Sequence, residues 1–302
     1  MRHKRLPAAY TFTIEFPAPL DIPASLDIFR RTGDDGIDRW DGRVLVRTTR
    51  VADTVVPFIG TVVGTVDAPA LEVTVAHVTH APTIEHTVRT MFVTAPGPLA
   101  ELITVDPIIA GLEARYPGLR PVLQSDLLTA LIRAISAQQV NLQWATTTRR
   151  RLAEAFGCQH RLGSHQVFSL AAARLAAVDV MAIRALQLTT RKAEYIVALA
   201  TTVTTGRLDL AALRDRPDAE VIACLMACRG LGRWTAEWFL ARALGRPRVV
   251  AGDLGVRKAI GAAYCHGNLP SETAVRELTA HWGAAAGVAQ QLLLHGLSHG
   301  SL

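Results

Sequence analysis

The hydrophobic pattern of this chain changes its period once, near residue 105, and that change limits the folds available to it. Before this point apolar and polar residues alternate, which is the period of a half-buried strand. After it Leu, Ile and Ala recur three or four residues apart, which is the period of an amphipathic helix. The sequence therefore predicts an α+β protein, with an antiparallel β-sheet and helices in residues 1–105 and an all-α domain in residues 106–302.

Local signals place the first elements. Strands are predicted at YTFTIEF, from Tyr10 to Phe16, and at GRVLVRTTRV and ALEVTVAHV, because all three alternate. The segment DIPASLDIFRR between the first two strands predicts a short helix, with Pro23 in its first turn and Gly33 after its end.

Capping residues mark two helices of the second part. Ser125 or Asp126 can cap the helix of SDLLTALIRAISAQQV, because both side chains accept hydrogen bonds from free amides. Thr189 or Thr190 can do the same for the helix that contains Lys192.

The net charge of +6 is unevenly distributed. Residues 1–105 carry ten Lys and Arg against twelve Asp and Glu, whereas residues 106–302 carry twenty-two against fourteen. A basic excess confined to the helical part fits a module that binds a polyanion, and a solvated basic surface without a partner explains it equally well.

Several classes of protein are disfavoured. No apolar stretch approaches the ~20 residues of a membrane span, so we expect no membrane partner. The start MRHKRLPAAYTFTIEF lacks an apolar signal core, and four cysteines are too few for a secreted disulfide scaffold. The cytoplasm is the expected compartment.

The strongest local signal is LMACRGLGRWTAEWFLARALG, an apolar helix end, a glycine turn and a second helix. Gly230 and Gly232 allow a sharp turn and bring backbone N–H groups close to a ligand such as a DNA phosphate. An ordinary turn between two helices accounts for the same pattern. Nineteen residues after Trp234, Asp253 opens another apolar helix; it can act as an N-cap and can also stabilise positive charge on a sugar.

Three motifs together carry a family resemblance: GLGRWTA, the downstream GDLG and the upstream AISAQQV. The chain resembles the helix-hairpin-helix (HhH-GPD) DNA glycosylase superfamily, and within it DNA-3-methyladenine glycosylase II, the AlkA type. The resemblance implies a protein, expected to be monomeric and nucleoid-associated, that hydrolyses the N-glycosidic bond of alkylated purines such as 3-methyladenine and 7-methylguanine in double-stranded DNA. It requires no cofactor, although the hairpin carbonyls can hold a monovalent cation.

The resemblance also implies roles for particular residues. Asp253 falls at the catalytic carboxylate, and Gln139, with Gln138 beside it, at the wedge that fills the gap left by the extruded nucleotide. Trp234 and Trp238, one helical turn apart, would receive a positively charged base, although core packing also explains such a pair. The residues expected to hold DNA phosphate are Gly230, Leu231, Gly232, Arg233 and Thr235.

Trp234 separates two subfamilies. Endonuclease-III-like members that also nick the strand carry a Schiff-base lysine at this position, and an indole cannot form an imine. Lys192 and Lys258 lie outside the hairpin and are expected to be solvated. Two alternatives stay open: a bifunctional glycosylase/lyase for oxidised bases, and a non-catalytic binder of damaged DNA.

The remaining candidates have structural interpretations. Cys224 and Cys228, one helical turn apart, fit neither an iron–sulfur cluster nor a zinc site and are expected to be core residues. The histidines at positions 77, 80 and 86 are expected at the surface, and Trp144 and Trp282 in structural positions. Near the end, Ala284-Ala285-Ala286 replaces the family's Pro-aromatic-Arg run and Leu294 lies near a position that can be aromatic, so one wall of the base pocket should be less aromatic.

Overall fold

The computed structural model describes residues 9–302, and its first part is built on a five-stranded antiparallel sheet. The sheet order is β1-β5-β4-β3-β2. The predicted alternating segments form three of these strands, with Ile14 buried opposite Leu71 in the register of the first pair. The two strands that were not predicted are a two-residue strand and one containing Pro57. The strands are β1 (Tyr10–Glu15), β2 (Arg39–Trp40), β3 (Val44–Val51), β4 (Thr54–Val62) and β5 (Ala70–Val75).

Three helices accompany the sheet: α1 (Ile22–Leu26), α2 (Ala81–Arg89) and α3 (Pro96–Val105). The prediction for α1 is confirmed: Pro23 lies in its first turn, and Asp21 caps it by accepting from the amide of Ala24 at 2.9 Å. A short 3-10 turn, Asp27–Phe29, extends the helix, and Gly33 follows with a φ of 105°.

The second part is helical apart from one hairpin. Asp126 caps α5 and Thr189 caps α9, each accepting from the amide three residues later, as predicted. Short 3-10 turns occur at Ala212–Asp215 and Ala280–Ala285. The helices are α4 (Pro107–Arg115), α5 (Leu127–Ala137), α6 (Leu142–Phe156), α7 (Ala172–Ala176), α8 (Val180–Arg184), α9 (Thr190–Thr204), α10 (Asp218–Met226), α11 (Arg233–Arg242), α12 (Leu254–Tyr264), α13 (Glu272–Leu278) and α14 (Ala286–Ser298).

The prediction of an all-α second part is wrong at the hairpin formed by β6 (Cys158–Leu162) and β7 (His165–Ser169). Gly163, with a φ of 57°, allows the two-residue turn between the strands. The hairpin joins the two parts, because the amide of Phe168 in β7 donates to the carbonyl of Gly36 at 2.8 Å. Its short polar strands carry too weak an alternation to be recognised in the sequence.

The apolar core has three clusters. One lies between the sheet and its helices, and a second lies among α5, α9, α10 and α11. The third joins α3, α4, α12 and α14, so Leu99 and Leu102 of α3 pack with helices from the end of the chain. The division after residue 105 stays a prediction. No helix within residues 9–302 is long and apolar enough to cross a membrane.

A buried group of ion pairs joins the two parts, and we call it the interdomain ion cluster: Asp35, Asp38, Arg47, Arg133 and Arg149. Asp38 binds Arg47 at 2.5 Å and Arg133 at 2.6 Å. Asp35 binds Arg133 at 2.7 Å and Arg149 at 3.1 Å. Burial raises the pKa of Asp35, but the two guanidinium groups and the backbone amide of Ile37 outweigh it, so the net shift is downward. The cluster holds α5 and α6 against the sheet-containing part.

Candidate active site

The glycine turn lies between α10 and α11 and forms a helix-hairpin-helix. Gly230 adopts a φ of 88°, and a Cβ at this position would overlap the ring of Tyr195. Any other residue would therefore be strained and would displace a packed aromatic ring. Gly232 caps α11 in an extended conformation and is exposed, so the first amides of α11 open toward solvent.

The structure divides the predicted phosphate-binding residues into two groups. Gly232 is exposed, and so is Arg233, whose guanidinium also pairs with Glu237 at 3.0 Å. Leu231 and Thr235 are buried, with exposed fractions of 4% and 1%. Both side chains therefore pack inside the protein, and the amide of Leu231 donates to the carbonyl of Cys228 at 3.1 Å. Binding of DNA phosphate by the hairpin stays a prediction.

Asp253 and Trp234 meet across the hairpin, as the carboxylate assignment requires. Asp253 caps α12, where its Oδ1 accepts from the amide of Val256 at 3.0 Å. The indole Nε1 of Trp234 donates to the other carboxylate oxygen, Oδ2, at 3.0 Å. Both residues are half-buried. Two hydrogen bonds thus fix the orientation of the carboxylate and leave it accessible from one side.

The predicted wedge lies at the end of α5. Gln139 is exposed and has a φ of 55°, in the left-handed region that non-glycine residues rarely adopt. Gln138 is half-buried, and its amide donates to the carbonyl of Gly230 at 2.9 Å. Gln138 therefore ties the wedge to the hairpin, and Gln139 is the residue free to project.

The expectation that Lys192 is solvated is wrong. Its exposed fraction is 8%, and its Nζ donates to the carbonyl of Ser136 at 2.8 Å. Burial lowers the pKa of Lys192. The physical reason is that α9 packs against α5, so the long stem of the lysine lies inside while its amine reaches the carboxyl end of α5. Lys258 is exposed, as predicted.

The tryptophans differ from one another. Trp238 is half-buried and packs against the helical cluster, so its role in a base pocket stays a prediction. Trp282 is buried and donates to Asp106 at 3.2 Å, which confirms its structural position. Trp144 is 38% exposed and lies under the guanidinium of Arg151, so its structural role stays a prediction. Asn141 caps the helix, and the residues of its first turn, Trp144 among them, are exposed.

The thiols and histidines follow the sequence interpretation in part. Cys224 and Cys228 are half-buried against the helical cluster, and all four cysteines are free. His77 and His86 are exposed and His80 is half-buried. Within residues 9–302, no group of three or more His, Cys, Asp or Glu side chains could hold a metal ion.

The end of the chain approaches the carboxylate of Asp253. Ala285 and Ala286 are buried, whereas Leu294 is half-buried and lies beside the carboxylate. A Cβ added at Gly255 would lie 3.0 Å from Asp253 Oδ1 and 3.5 Å from a methyl group of Leu294. Leu294 therefore lies near the carboxylate, and its place in the wall of a base pocket stays a prediction.

Arg242 is the residue that sequence reasoning missed. It lies eight residues after Trp234 on α11, is 7% exposed, and donates through Nη2 to Gln291 at 2.8 Å. Burial lowers its pKa to about 10, and the negative charge of Asp253 acts in the opposite direction. A charged residue within the apolar run WFLARAL was the available signal.

Sequence comparisons identify the family of this chain and several relatives. Residues 132–284 match the family model described as "HhH-GPD superfamily base excision DNA repair protein". The chain is 27% identical over 190 residues to the "DNA-3-methyladenine glycosylase" of Bacillus subtilis, covering 61% of this chain and 62% of that one. It is 30% identical over 138 residues to "DNA-3-methyladenine glycosylase 2" of Escherichia coli, covering 46% and 48%. The chain thus spans less than two thirds of the length of these relatives.

Solved structures share the fold at lower identity. The "3-methyladenine dna-glycosylase from Archaeoglobus fulgidus" superposes with a TM-score of 0.86 at 21% identity, covering 96% of this chain and 100% of that one. An 8-oxoguanine glycosylase/lyase of Clostridium acetobutylicum superposes with a TM-score of 0.73 at 14% identity, covering 94% and 95%. The likeness confirms the predicted α+β fold. The two solved structures show that proteins named for 3-methyladenine and for 8-oxoguanine share this fold.

Proposed function

The chain belongs to the HhH-GPD superfamily of base excision DNA repair proteins, and from this premise we propose that it is a monofunctional DNA glycosylase. It hydrolyses the N-glycosidic bond of alkylated purines, of the 3-methyladenine and 7-methylguanine type, in duplex DNA. The observation that carries the proposal is the hydrogen bond between Trp234 and Asp253. It brings a carboxylate directly beside an indole, and the family resemblance implies that lyases of the endonuclease-III type carry a lysine at this position instead.

The chemistry follows from the placement of Asp253. As the bond between sugar and base breaks, positive charge develops on the deoxyribose, and a fixed carboxylate stabilises it. A purine alkylated at N3 or N7 is already cationic and leaves readily. The face of an electron-rich indole attracts such a ring, which gives Trp234, and Trp238 one turn further on, a role in receiving the base. No metal or nucleotide cofactor takes part.

DNA is held by the backbone of the hairpin. The amides of residues 230, 232, 233 and 235, at the start of α11, bind a phosphate by hydrogen bonding and by the positive end of the helix dipole. The amide of Leu231 instead donates to the carbonyl of Cys228 and supports the turn. Gln139 enters the stack when the nucleotide is extruded and recovers part of the lost stacking energy. Gln138 donates to the carbonyl of Gly230, one of the groups that a monovalent cation would use. We propose a monomer that works on the nucleoid in the cytoplasm.

A base-release assay tests the proposal. Incubation with duplex DNA treated with dimethyl sulfate should release free 3-methyladenine and 7-methylguanine and leave abasic sites without strand breaks. Borohydride added during incubation with abasic DNA should trap no covalent adduct. Binding without release would indicate a non-catalytic binder of damaged DNA. An adduct would indicate a lyase, and Lys192 would be the first residue to test, because its lowered pKa makes the amine more nucleophilic.

A second prediction concerns the indole N–H. Replacing Trp234 by Phe keeps an aromatic ring but removes the donor to Asp253, so the carboxylate loses one of its two anchors. We expect single-turnover base release to slow by ~10-fold, the scale of a hydrogen bond to a charged group. Trp282→Phe is the matched control, because this indole also donates to an aspartate, Asp106, remote from the hairpin. A Trp234→Phe rate equal to that of the control would show that the N–H contributes nothing.

A further inference from the structure

A cavity lies near the candidate active site. It lies between the end of the first helical segment and α14, and it is lined by Ile28, Arg31, Arg242, Gln291, Leu294 and His295, among others. Leu294 lines this cavity and also lies near the carboxylate, because a Cβ built at Gly255 would lie 3.5 Å from a methyl group of Leu294 and 3.0 Å from Asp253 Oδ1. A base extruded toward Asp253 would have this cavity next to it.

Arg242 is the buried charged group of this cavity. Its Nη2 donates to Gln291, whereas for Nη1 no acceptor exists within hydrogen-bond distance among residues 9–302. A buried guanidinium donor without an acceptor costs free energy, and a ligand that supplies an acceptor removes this cost. The unpaired Nη1 therefore calls for an acceptor on the ligand.

The other polar groups of the cavity add donors and little negative charge. Oε1 of Gln291 accepts from Arg242, and the amide N–H groups of Gln291 are donors toward other partners. Burial, with the nearby His299 and Arg31, lowers the pKa of His295 to about 4, so its imidazole is neutral at physiological pH. Asp27, at the rim, is paired with Arg30 at 2.7 Å. The polar groups that line the cavity are therefore complementary to a ligand whose edge carries hydrogen-bond acceptors.

We propose that Arg242 contacts the extruded base and selects purines that carry a carbonyl at C6 over purines that carry an amino group there. The inference rests on the proposed function. A guanidinium donates to the O6 of an alkylated guanine, whereas the amino group of 3-methyladenine presents hydrogens to it. Arg242 therefore favours 7-methylguanine over 3-methyladenine relative to a pocket without this charge.

The same contact acts on the leaving group. The bond between C1′ and N9 breaks with both electrons passing to the base, and water adds to C1′ and loses a proton. A 7-methylguanine base that was cationic in DNA leaves neutral, and part of the incoming electron density accumulates on O6. A guanidinium at O6 stabilises that density in the transition state.

The test compares release of the two bases from one substrate. Duplex DNA treated with dimethyl sulfate contains both lesions, and chromatography under single-turnover conditions gives both rates. For Arg242→Met we expect the rate for 7-methylguanine to fall by ~10-fold or more, the scale of a charged hydrogen bond, and that for 3-methyladenine to change several times less. Arg89→Met, on the sheet side of the molecule, should leave both rates unchanged.

The outcomes are separable. Equal losses for both bases would overturn the inference, because Arg242 would then act through Asp253 or through stability, and so would unchanged rates. If the wild-type chain releases neither base, the proposed function fails and this inference fails with it. Should Arg242→Met not fold, Arg242→Lys keeps the charge but changes the donor geometry; an unchanged ratio of the two rates for this variant would equally overturn the proposal.

Discussion

Replacing Asp253 by Asn is expected to lower single-turnover base release by ~10³-fold or more, the scale of losing a group that stabilises transition-state charge. The amide is uncharged and cannot stabilise positive charge on the deoxyribose. Its size is the same, and its oxygen can still accept from the amide of Val256, so α12 keeps its cap. Binding to DNA that contains a non-cleavable abasic analogue should therefore stay within a few fold of wild type, measured by fluorescence anisotropy.

A matched control separates charge from capping. Asp179 also caps a helix, α8, by accepting from the amide of Met181 at 2.7 Å, and it is exposed and distant in sequence from every candidate site residue. Asp179→Asn should leave base release unchanged. If Asp253→Asn keeps a rate within threefold of this control, position 253 is an ordinary N-cap and the catalytic assignment is wrong.

Those features of the site that depend on local sequence were predictable. Asp253 as a cap, Gly230 at a positive φ and Trp234 one residue inside α11 all follow from residues within a few positions of one another. The resemblance then supplied what spacing alone could not, namely that two segments nineteen residues apart meet. From the sequence alone, the hairpin could be either an ordinary turn between two helices or a phosphate-binding site.

The errors share a physical cause, because each depends on contacts between distant segments. Lys192 has the composition of a surface residue, and only the packing of α9 on α5 buries it against Ser136. Arg242 donates a hydrogen bond to Gln291, which lies on another helix, so the residues next to it in the sequence do not reveal its partner. Residue type gives the cost of burial, but it does not tell which residues supply the compensating partner.

The interdomain ion cluster is the strongest case of this kind, since its members come from segments as far apart as the first strands and α6. Asp38 is 4% exposed and binds both Arg47 and Arg133. Nothing near Asp38 in the sequence indicates the pairing with α5. Stability should therefore depend steeply on a residue that local patterns would assign to a surface loop.

Replacing Asp38 by Ala is expected to lower the free energy of unfolding by ~3–5 kcal/mol, the cost of leaving buried charges without their partner. Arg47 is buried almost completely, so water cannot replace the lost carboxylate there. The measurement is the midpoint of urea denaturation followed by circular dichroism. Asp34→Ala is the matched control: Asp34 pairs with Arg39 at 2.8 Å but is 37% exposed, so its loss should cost no more than ~1 kcal/mol. Equal midpoints for the two variants would show that the buried pairs contribute no more than a solvated one.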